Sequence, residues 1–391
     1  MTKYLLISLV MIILCLLLTG CWSYREIDSL YIIAGIAIDK EPNSDIYNVT
    51  AEFVDAKNTA GGGAQQQTEQ GLQSVLLETK GVSVFDAIRK MIKISAKRPY
   101  LAHATTIVIS EEAAREGIVP FLDLVVTHEE PRLDVDVYVA RGKLAGEILH
   151  TKSFSSDIRS FELSQIVNEN KQLVRIPILK AYEIINQLAT PKFSIVLPVV
   201  TSFINHGEST NILSGGAVFK TDKLVGFLEQ EDIIPYLFIK DQIQSAVLNV
   251  ETKEGNLNST ITLETLNNRT KIKPVYSDEG ISFDIKIKTD VFFIESDTLT
   301  NFISPQGRKK LKELTERHLK KRIENHIRKT KEDLEFDIFG FGNIIRQRNP
   351  KLWKELEKDW DSIFMDANFN VKCDIRIKNS GHTLGPIKVA D

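Results

Sequence analysis

The sequence predicts an α+β chain with mixed and antiparallel sheets and segregated flanking helices. Three patterns carry that expectation. Leu133–Val139, Ile281–Ile287 and 369–377 alternate apolar and polar residues with period two, which turns one strand face toward a core. Stretches opening at Ser83, Ser110 and Ser304 carry helix caps ahead of apolar stripes. Strand-like and helix-like runs are separated by turn clusters such as Glu41-Pro42-Asn43-Ser44-Asp45. With 391 residues, 43% apolar and 26% charged, the chain has room for two or three globular domains.

In chain order, Tyr31–Ile38 is expected to be a buried strand and 47–53 a half-buried one, joined as a hairpin. Lys57–Gln70, with Gly61-Gly62-Gly63 and Gln65-Gln66-Gln67, is the low-complexity stretch. No Lys-Ser/Thr follows the glycines and no helix starts directly behind them, so a surface loop is expected rather than a phosphate cradle. A helix from Ser83 places Phe85, Ile88, Ile92 and Ser95 on one face. Thr105–Ile109 is a strand, Ser110 caps the helix after it, and Gly117 stops that helix. An apolar stretch, Ile118–Val126, follows. Leu133, Val135, Val137 and Val139 form a strand whose Asp134, Asp136 and Tyr138 face water. Short helices near 143–149 and 157–169 precede a helix begun by Pro177 and ending at Leu188, then a strand over 193–200.

Residues 205–213 are expected to be a linker. Ala217–Leu228 is a hairpin about Thr221-Asp222-Lys223, followed by long strands at 246–250, 260–266 and 281–287. Ser304-Pro305 opens the longest helix, to about Asp333. A second helix carries Trp353, Leu356 and Trp360, and the last strand turns Phe369, Val371, Cys373, Ile375 and Ile377 inward.

The amino terminus carries the sharpest chemical signal. Lys3 precedes Tyr4–Leu18, an apolar run broken only by Ser8. Fifteen residues fall short of the roughly 20 that a helix needs to span a bilayer, and suit a secretory signal peptide. The run ends in Leu18-Thr19-Gly20-Cys21, which resembles the bacterial lipobox. Residues 1–20 are therefore expected to be a lipoprotein signal peptide, and Cys21 the attachment site for N-acyl and S-diacylglycerol lipid. Two or more acyl chains, each contributing about 0.8 kcal/mol per buried methylene, make attachment stable without a membrane-spanning helix.

Other chemistries find little support. Removing the leader takes away only Lys3 from a formal net charge of −3, so no basic excess points to nucleic acid. Of three cysteines, Cys15 lies in the leader and Cys21 takes lipid. Cys373 remains on an apolar strand face, where a thiol acts as a small hydrophobe. The seven histidines have no zinc spacing, and His128-Glu129-Glu130-Pro131 ends in Arg132 where a second histidine would be needed. No nucleophile elbow or nucleotide-binding glycine motif occurs, and Phe339-Gly340-Phe341-Gly342 is expected to be a turn between helices. No enzyme activity, metal or cofactor is called for. The long helix holds eleven basic residues between Arg308 and Lys331, either a contact for anionic lipid or an acidic partner, or the solvated face of a packed helix.

Taken together, the residues resemble the Ger(x)C family, lipoprotein C subunits of the nutrient germinant receptors of spore-forming bacteria. Cys21-Trp22 through Glu26-Ile27-Asp28 is similar to the family's opening, and Gly35-Ile36-Ala37-Ile38-Asp39 to the strand after it. Ala102-His103-Ala104, Ile107–Glu112 with Ala114, Gly216–Lys220, Lys223–Gly226, and Asp337–Gly342 with Trp353 and Trp360 resemble later family segments in order. Thr127-His128 departs from the family pattern before Arg132, and 57–70 resembles a variable insertion.

The resemblance implies three α+β domains. They map to an N-terminal region, 22–205, with two subdomains that interleave, and a C-terminal domain, 213–391. It further implies a lipid anchor on the outer face of the spore inner membrane, integral-membrane A-type and B-type receptor partners, a role in the germination response and no catalytic residues. The competing expectation is a solute-binding lipoprotein of a transporter, which would show two similar α/β lobes around a cleft.

Overall fold

The structure is a computed structural model. It describes residues 3–5, 7 and 29–378, apart from 43, 56–72, 174–176, 191–193, 244, 255–256, 279, 298–299 and 303. The described residues form two sheets. The first holds β1 (Leu30–Lys40), β2 (Tyr47–Asp55), β3 (Gln73–Gly81), β4 (Arg98–Tyr100), β5 (Thr106–Ser110), β6 (Asp136–Ala140), β7 (Ser194–Asn205), β8 (Glu208–Lys220) and β9 (Lys223–Leu228). Their order is β3-β2-β1-β5-β6-β7-β8-β9, with β4 beside the start of β1.

Strands β1, β5, β6 and β7 run parallel, while the outer pairings are antiparallel. Parallel neighbours need crossover connections. These contain α1 (Val84–Lys90), α2 (Ile92–Ser95), α3 (Glu111–Glu116), α4 (Val119–Thr127), α5 (Ala145–His150), α6 (Arg159–Leu173) and α7 (Ala181–Leu188). After β9 comes α8 (Gln230–Ile239). The second sheet has the order β10 (Val247–Glu254), β11 (Leu257–Ser277), β12 (Gly280–Ser296), β13 (Asn368–Ile377), and its last pair is parallel. Between β12 and β13 lie α9 (Pro305–Leu334), α10 (Phe341–Arg348), α11 (Pro350–Leu356) and α12 (Trp360–Asp366).

Among the described residues three apolar clusters hold these layers, and the architecture is α+β. One face of the first sheet packs Val49, Ile107 and Val137 against Ile88, Ala114, Phe121 and Ile184. The opposite face packs Ala37, Val108 and Tyr138 against Ile148 and Leu163. In the third cluster Ile285, Val371 and Ile375 meet Leu311, Leu319 and Ile323, and α8 carries this core onto Val196 and Val218 of the first sheet.

Buried carboxylates fasten the second helical layer. Asp39 accepts from the backbone N–H of Ala145 (2.7 Å) and Gly146 (2.9 Å) at the start of α5. Glu52, fully buried, accepts from Arg159 N (2.8 Å), Ser160 N (2.7 Å) and Ser160 Oγ (2.6 Å) at the start of α6. A helix N-terminus leaves N–H groups without intrahelical partners and favours negative charge, so each carboxylate is satisfied where it lies. Gly35 permits the approach: a Cβ there would meet Ser160 Oγ at 2.2 Å. The segment Gly35–Asp39 thus has a packing reason.

Several expected elements differ in the structure. The face of α1 turned inward is Val84, Ala87 and Ile88 with Met91, while Phe85 and Ile92 are exposed. Strand β6 has no wet face, because α5 and α6 cover its second side. Tyr138 is fully buried and its hydroxyl donates to Leu163 O (3.1 Å). The helix expected from Pro177 starts at Ala181, where Glu183 accepts from Lys180 N (2.8 Å). Residues 205–213 are not a linker: β7 and β8 pair from Asn205↔Glu208 through Thr201↔Ile212, about a turn at His206-Gly207, both at positive φ. Its polar composition reflects a two-stranded extension with water beside it. The helix carrying the tryptophans breaks into α11 and α12 around a short 3-10 turn.

Candidate functional site

Cys21 and the lipobox-like Leu18-Thr19-Gly20 before it lie outside the described residues, as do the glycine-rich stretch and His382. The first strand among the described residues, β1, opens at Leu30. Among the described residues no helix is long and apolar enough to cross a membrane. No group of three or more histidine, cysteine or acidic side chains is arranged to hold a metal there.

Cys373 is half-buried on β13, and burial, reinforced by Glu316 and Glu324, pushes its thiol up to about 12. A thiol so far from ionisation is no nucleophile near neutral pH.

The basic helix α9 turns Leu311, Thr315, Leu319, Ile323 and Ile327 into the cluster it shares with the second sheet. Much of its charge is taken up internally. Lys312 pairs with Asp374 (2.9 Å), Lys329 with Asp232 (2.7 Å), Arg328 with Glu332 (3.1 Å) and Lys320 with Glu324 (3.7 Å). Arg322 donates to Glu231 O (3.0 Å) and Lys331 to Ala367 O (3.0 Å). The packed-helix reading therefore describes α9 better than a dedicated anion surface.

Between α8 and α9 lies a polar cleft of about 290 Å³ built around Asp232. His326, buried, stands with Nδ1 at 3.4 Å from one carboxylate oxygen, and Lys329 donates to the other. Burial alone would raise this carboxyl, but its contacts with His326 and Lys329 hold it down at about 2. The folded state thus binds this proton more weakly than the unfolded chain, so the stabilisation is present above the unfolded value and disappears as pH falls through the folded one. Asp232→Asn is expected to cost about 1–2 kcal/mol at pH 7, discounted for solvent at the cleft mouth. In urea unfolding followed against pH, the gap from the unaltered protein should close between about pH 4 and about pH 2. A gap constant over that window would disprove the ionic origin.

A second polar cleft, of about 370 Å³, opens at the end of the first sheet where β5 and β6 begin. Asp136, 2% exposed, accepts from Ser164 Oγ (2.9 Å) and pairs with Lys180. Arg132 makes a two-pronged contact with Asp134, at 2.9 Å on each arm. His103 and Phe161 complete the rim. The Arg132–Asp134 and Lys180–Asp136 pairs balance one another, which suits positioning of the 128–135 connection. Sequence reasoning missed this grouping because it assigned Asp134 and Asp136 to water. Their alternation with valines was the available signal, and only the position of α6 showed what lay opposite.

The Phe339-Gly340-Phe341-Gly342 turn is built on Asp337. One oxygen of its buried carboxylate accepts from Phe339 N (2.9 Å) and Gly340 N (2.8 Å). The other accepts from Gly342 N (2.9 Å) and Trp360 Nε1 (3.3 Å). Burial pushes this carboxyl up, against the pull of the N–H donors and of Lys240. Gly340 sits at φ +85°, and a Cβ on Gly342 would lie 2.7 Å from Trp360 and 2.8 Å from Trp353. The same turn ties the two sheets together: Ser194 Oγ donates to Asp337 O (2.7 Å), and Lys240 Nζ to Phe339 O (3.2 Å).

Comparison with known proteins places these features in context. Residues 23–202 match the profile of the spore germination protein N-terminal domain, and 214–381 that of the spore germination B3/GerAC-like C-terminal region. The interval between the two spans falls on the β7–β8 hairpin. Spore germination protein KC of Bacillus subtilis (strain 168) is 23% identical over 412 residues, covering 99% of this chain and 98% of its own. Spore germination protein YndF of the same organism is 26% identical over 398 residues, covering 95% and 96%. The crystal structure of the GerBC protein superposes with a TM-score of 0.55 at 19% identity, over 88% of this chain and 97% of that one, and shows the fold to be shared.

Proposed function

Because the chain belongs to the GerAC-like, or Ger(x)C, family of spore germination proteins, we propose that it is the C-type subunit of a nutrient germinant receptor. In this reading lipid on Cys21 holds it on the outer face of the spore inner membrane, beside integral-membrane A-type and B-type subunits. The observation that carries the proposal is the coverage: two germination profiles, in order, begin two residues after Cys21 and account for nearly all of the mature chain. The lipobox-like Leu18-Thr19-Gly20-Cys21 supports the anchor. The role is one of assembly and signalling without catalysis, in keeping with buried carboxylates engaged in helix caps and turns. We also place the division between the N-terminal region and the C-terminal domain at 205–213, on the β7–β8 hairpin. A transporter's solute-binding lipoprotein would call for two similar lobes. The two sheets here differ in size and strand order.

Tagged full-length protein should be purified from spore membranes in mild detergent and its companions identified by mass spectrometry. Two integral-membrane proteins at comparable abundance are expected. Isolation of the chain alone, under conditions that preserve other membrane complexes, would refute the receptor assignment.

A further inference from the structure

The end of the first sheet at which β1 begins carries an exposed segment with an unusual composition. Residues 89–98 contain Arg89, Lys90, Lys93, Lys97 and Arg98 and no acid, in a chain whose formal net charge is −3. Within it α2 exposes Ile94 (60%) and Ile92 (37%). Met91 is fully buried and fixes the segment to the core, and the left-handed Ala96 (φ 54°) turns the chain sharply after the helix. Three of the cations are engaged locally: Lys90 with Asp86 (2.7 Å), Arg98 with Glu130 (2.7 Å), and Arg89 over the ring of Phe85. Lys93 and Lys97 are the charges the segment presents beside the two isoleucines.

Its position in the fold gives the patch a partner. Strand β4 follows the segment and runs parallel to β1, with Arg98 opposite Leu30. Leu30 is nine residues from Cys21, a span of at most about 30 Å when fully extended. On the reading that Cys21 carries lipid, the bilayer lies within that reach, and this end of the sheet is tethered near it.

We propose that Ile92–Arg98 is a second membrane contact, with Ile92 and Ile94 entering the boundary between headgroups and acyl chains while Lys93 and Lys97 meet anionic headgroups. Alternating apolar and cationic residues on an exposed turn suit that interface, where apolar burial and attraction to anionic lipid act together. One acyl-anchored point leaves a body free to swivel. A second contact beside it sets which face is turned to the membrane and which to partner proteins. The far end of the sheet supplies a control. Because β1 and β7 run in the same direction, the His206-Gly207 turn lies at the end opposite Leu30, and Ile204 beside it is 76% exposed.

The inference rests on the lipid anchor, so the test separates the two. Lipidated protein carrying Cys373→Ser, with either Ile94→Cys or Ile204→Cys labelled by an environment-sensitive fluorophore, is incorporated into vesicles of equimolar phosphatidylcholine and phosphatidylglycerol. Flotation reports the anchor, and a bilayer-embedded quencher reports depth. The label at 94 is expected to be quenched at least about threefold more than that at 204, with the difference falling by half or more in the Lys93→Glu, Lys97→Glu variant. Protein that floats with equal quenching at both sites overturns the second contact alone. Protein that does not float removes the anchor and this inference together.

Discussion

With Cys21→Ala exported behind an ordinary secretory leader, the body is expected to leave the membrane and enter the soluble fraction. The native leader must be replaced because its apolar run, if left uncut, would itself hold the chain at the bilayer. Nothing among the described residues offers a spanning helix to take the place of the lipid. A contact as small as Ile92–Arg98 would give only reversible adsorption. Loss of the anchor also removes the high local concentration that confinement to one surface gives a subunit and its partners. The response to the cognate nutrient should therefore slow by at least about tenfold. Fractionation, intact mass of the mature amino terminus and the loss of refractility in spores are the measurements. An unmodified Cys21 in the native protein, or a full response from spores lacking the membrane-bound form, would contradict the proposal.

The largest effect on stability is expected at Asp337. Asp337→Ala removes an acceptor that serves three backbone N–H groups and the Trp360 indole, and leaves these donors without it in a buried turn. Each orphaned buried donor costs about 1–3 kcal/mol, and partial relaxation brings the expected total to about 3–5 kcal/mol. Asp337→Asn keeps one oxygen and sets an amide NH₂ against the other two donors, so roughly half of that loss is expected. Trp353 and Trp360 have ring centroids 5.4 Å apart beside this turn, which makes tryptophan fluorescence during urea unfolding a direct reporter. A loss below about 1 kcal/mol for the alanine variant would show that the turn stands on apolar packing instead. Because Asp337 O and Phe339 O also receive Ser194 and Lys240, damage here should loosen the junction of the two sheets as well.

Much of the fold was legible wherever local chemistry and tertiary structure agree. Ser83, Ser110 and Ser304 accept from Asp86, Ala113 and Gly307 N–H groups as caps should, and the turn at Thr221-Asp222 joins β8 to β9. The alternation of Phe369, Val371, Cys373, Ile375 and Ile377 survives because β13 has one covered face. The β6 segment failed for the opposite reason. Period two marks the face with valines, but an aspartate and a tyrosine opposite them are equally compatible with water or with partners from elsewhere, here Ser164 and the Leu163 carbonyl of α6 and Lys180 ahead of α7. The inward face of α1 was misjudged because Phe85 and Val84 are both apolar, and only the position of the sheet chooses between them.

The sequence by itself determined the α+β class, most strands and helix starts and the family, since each rests on short-range spacing or on an ordered series of motifs. Tertiary structure alone decided that residues 205–213 pair as a hairpin, that Asp39, Glu52 and Asp337 are acceptors for buried N–H groups, and that Arg98 stands beside Leu30. A carboxylate's role depends on which donors approach it from distant parts of the chain, and a strand's partner depends on register. Neither is written in the spacing of neighbouring residues.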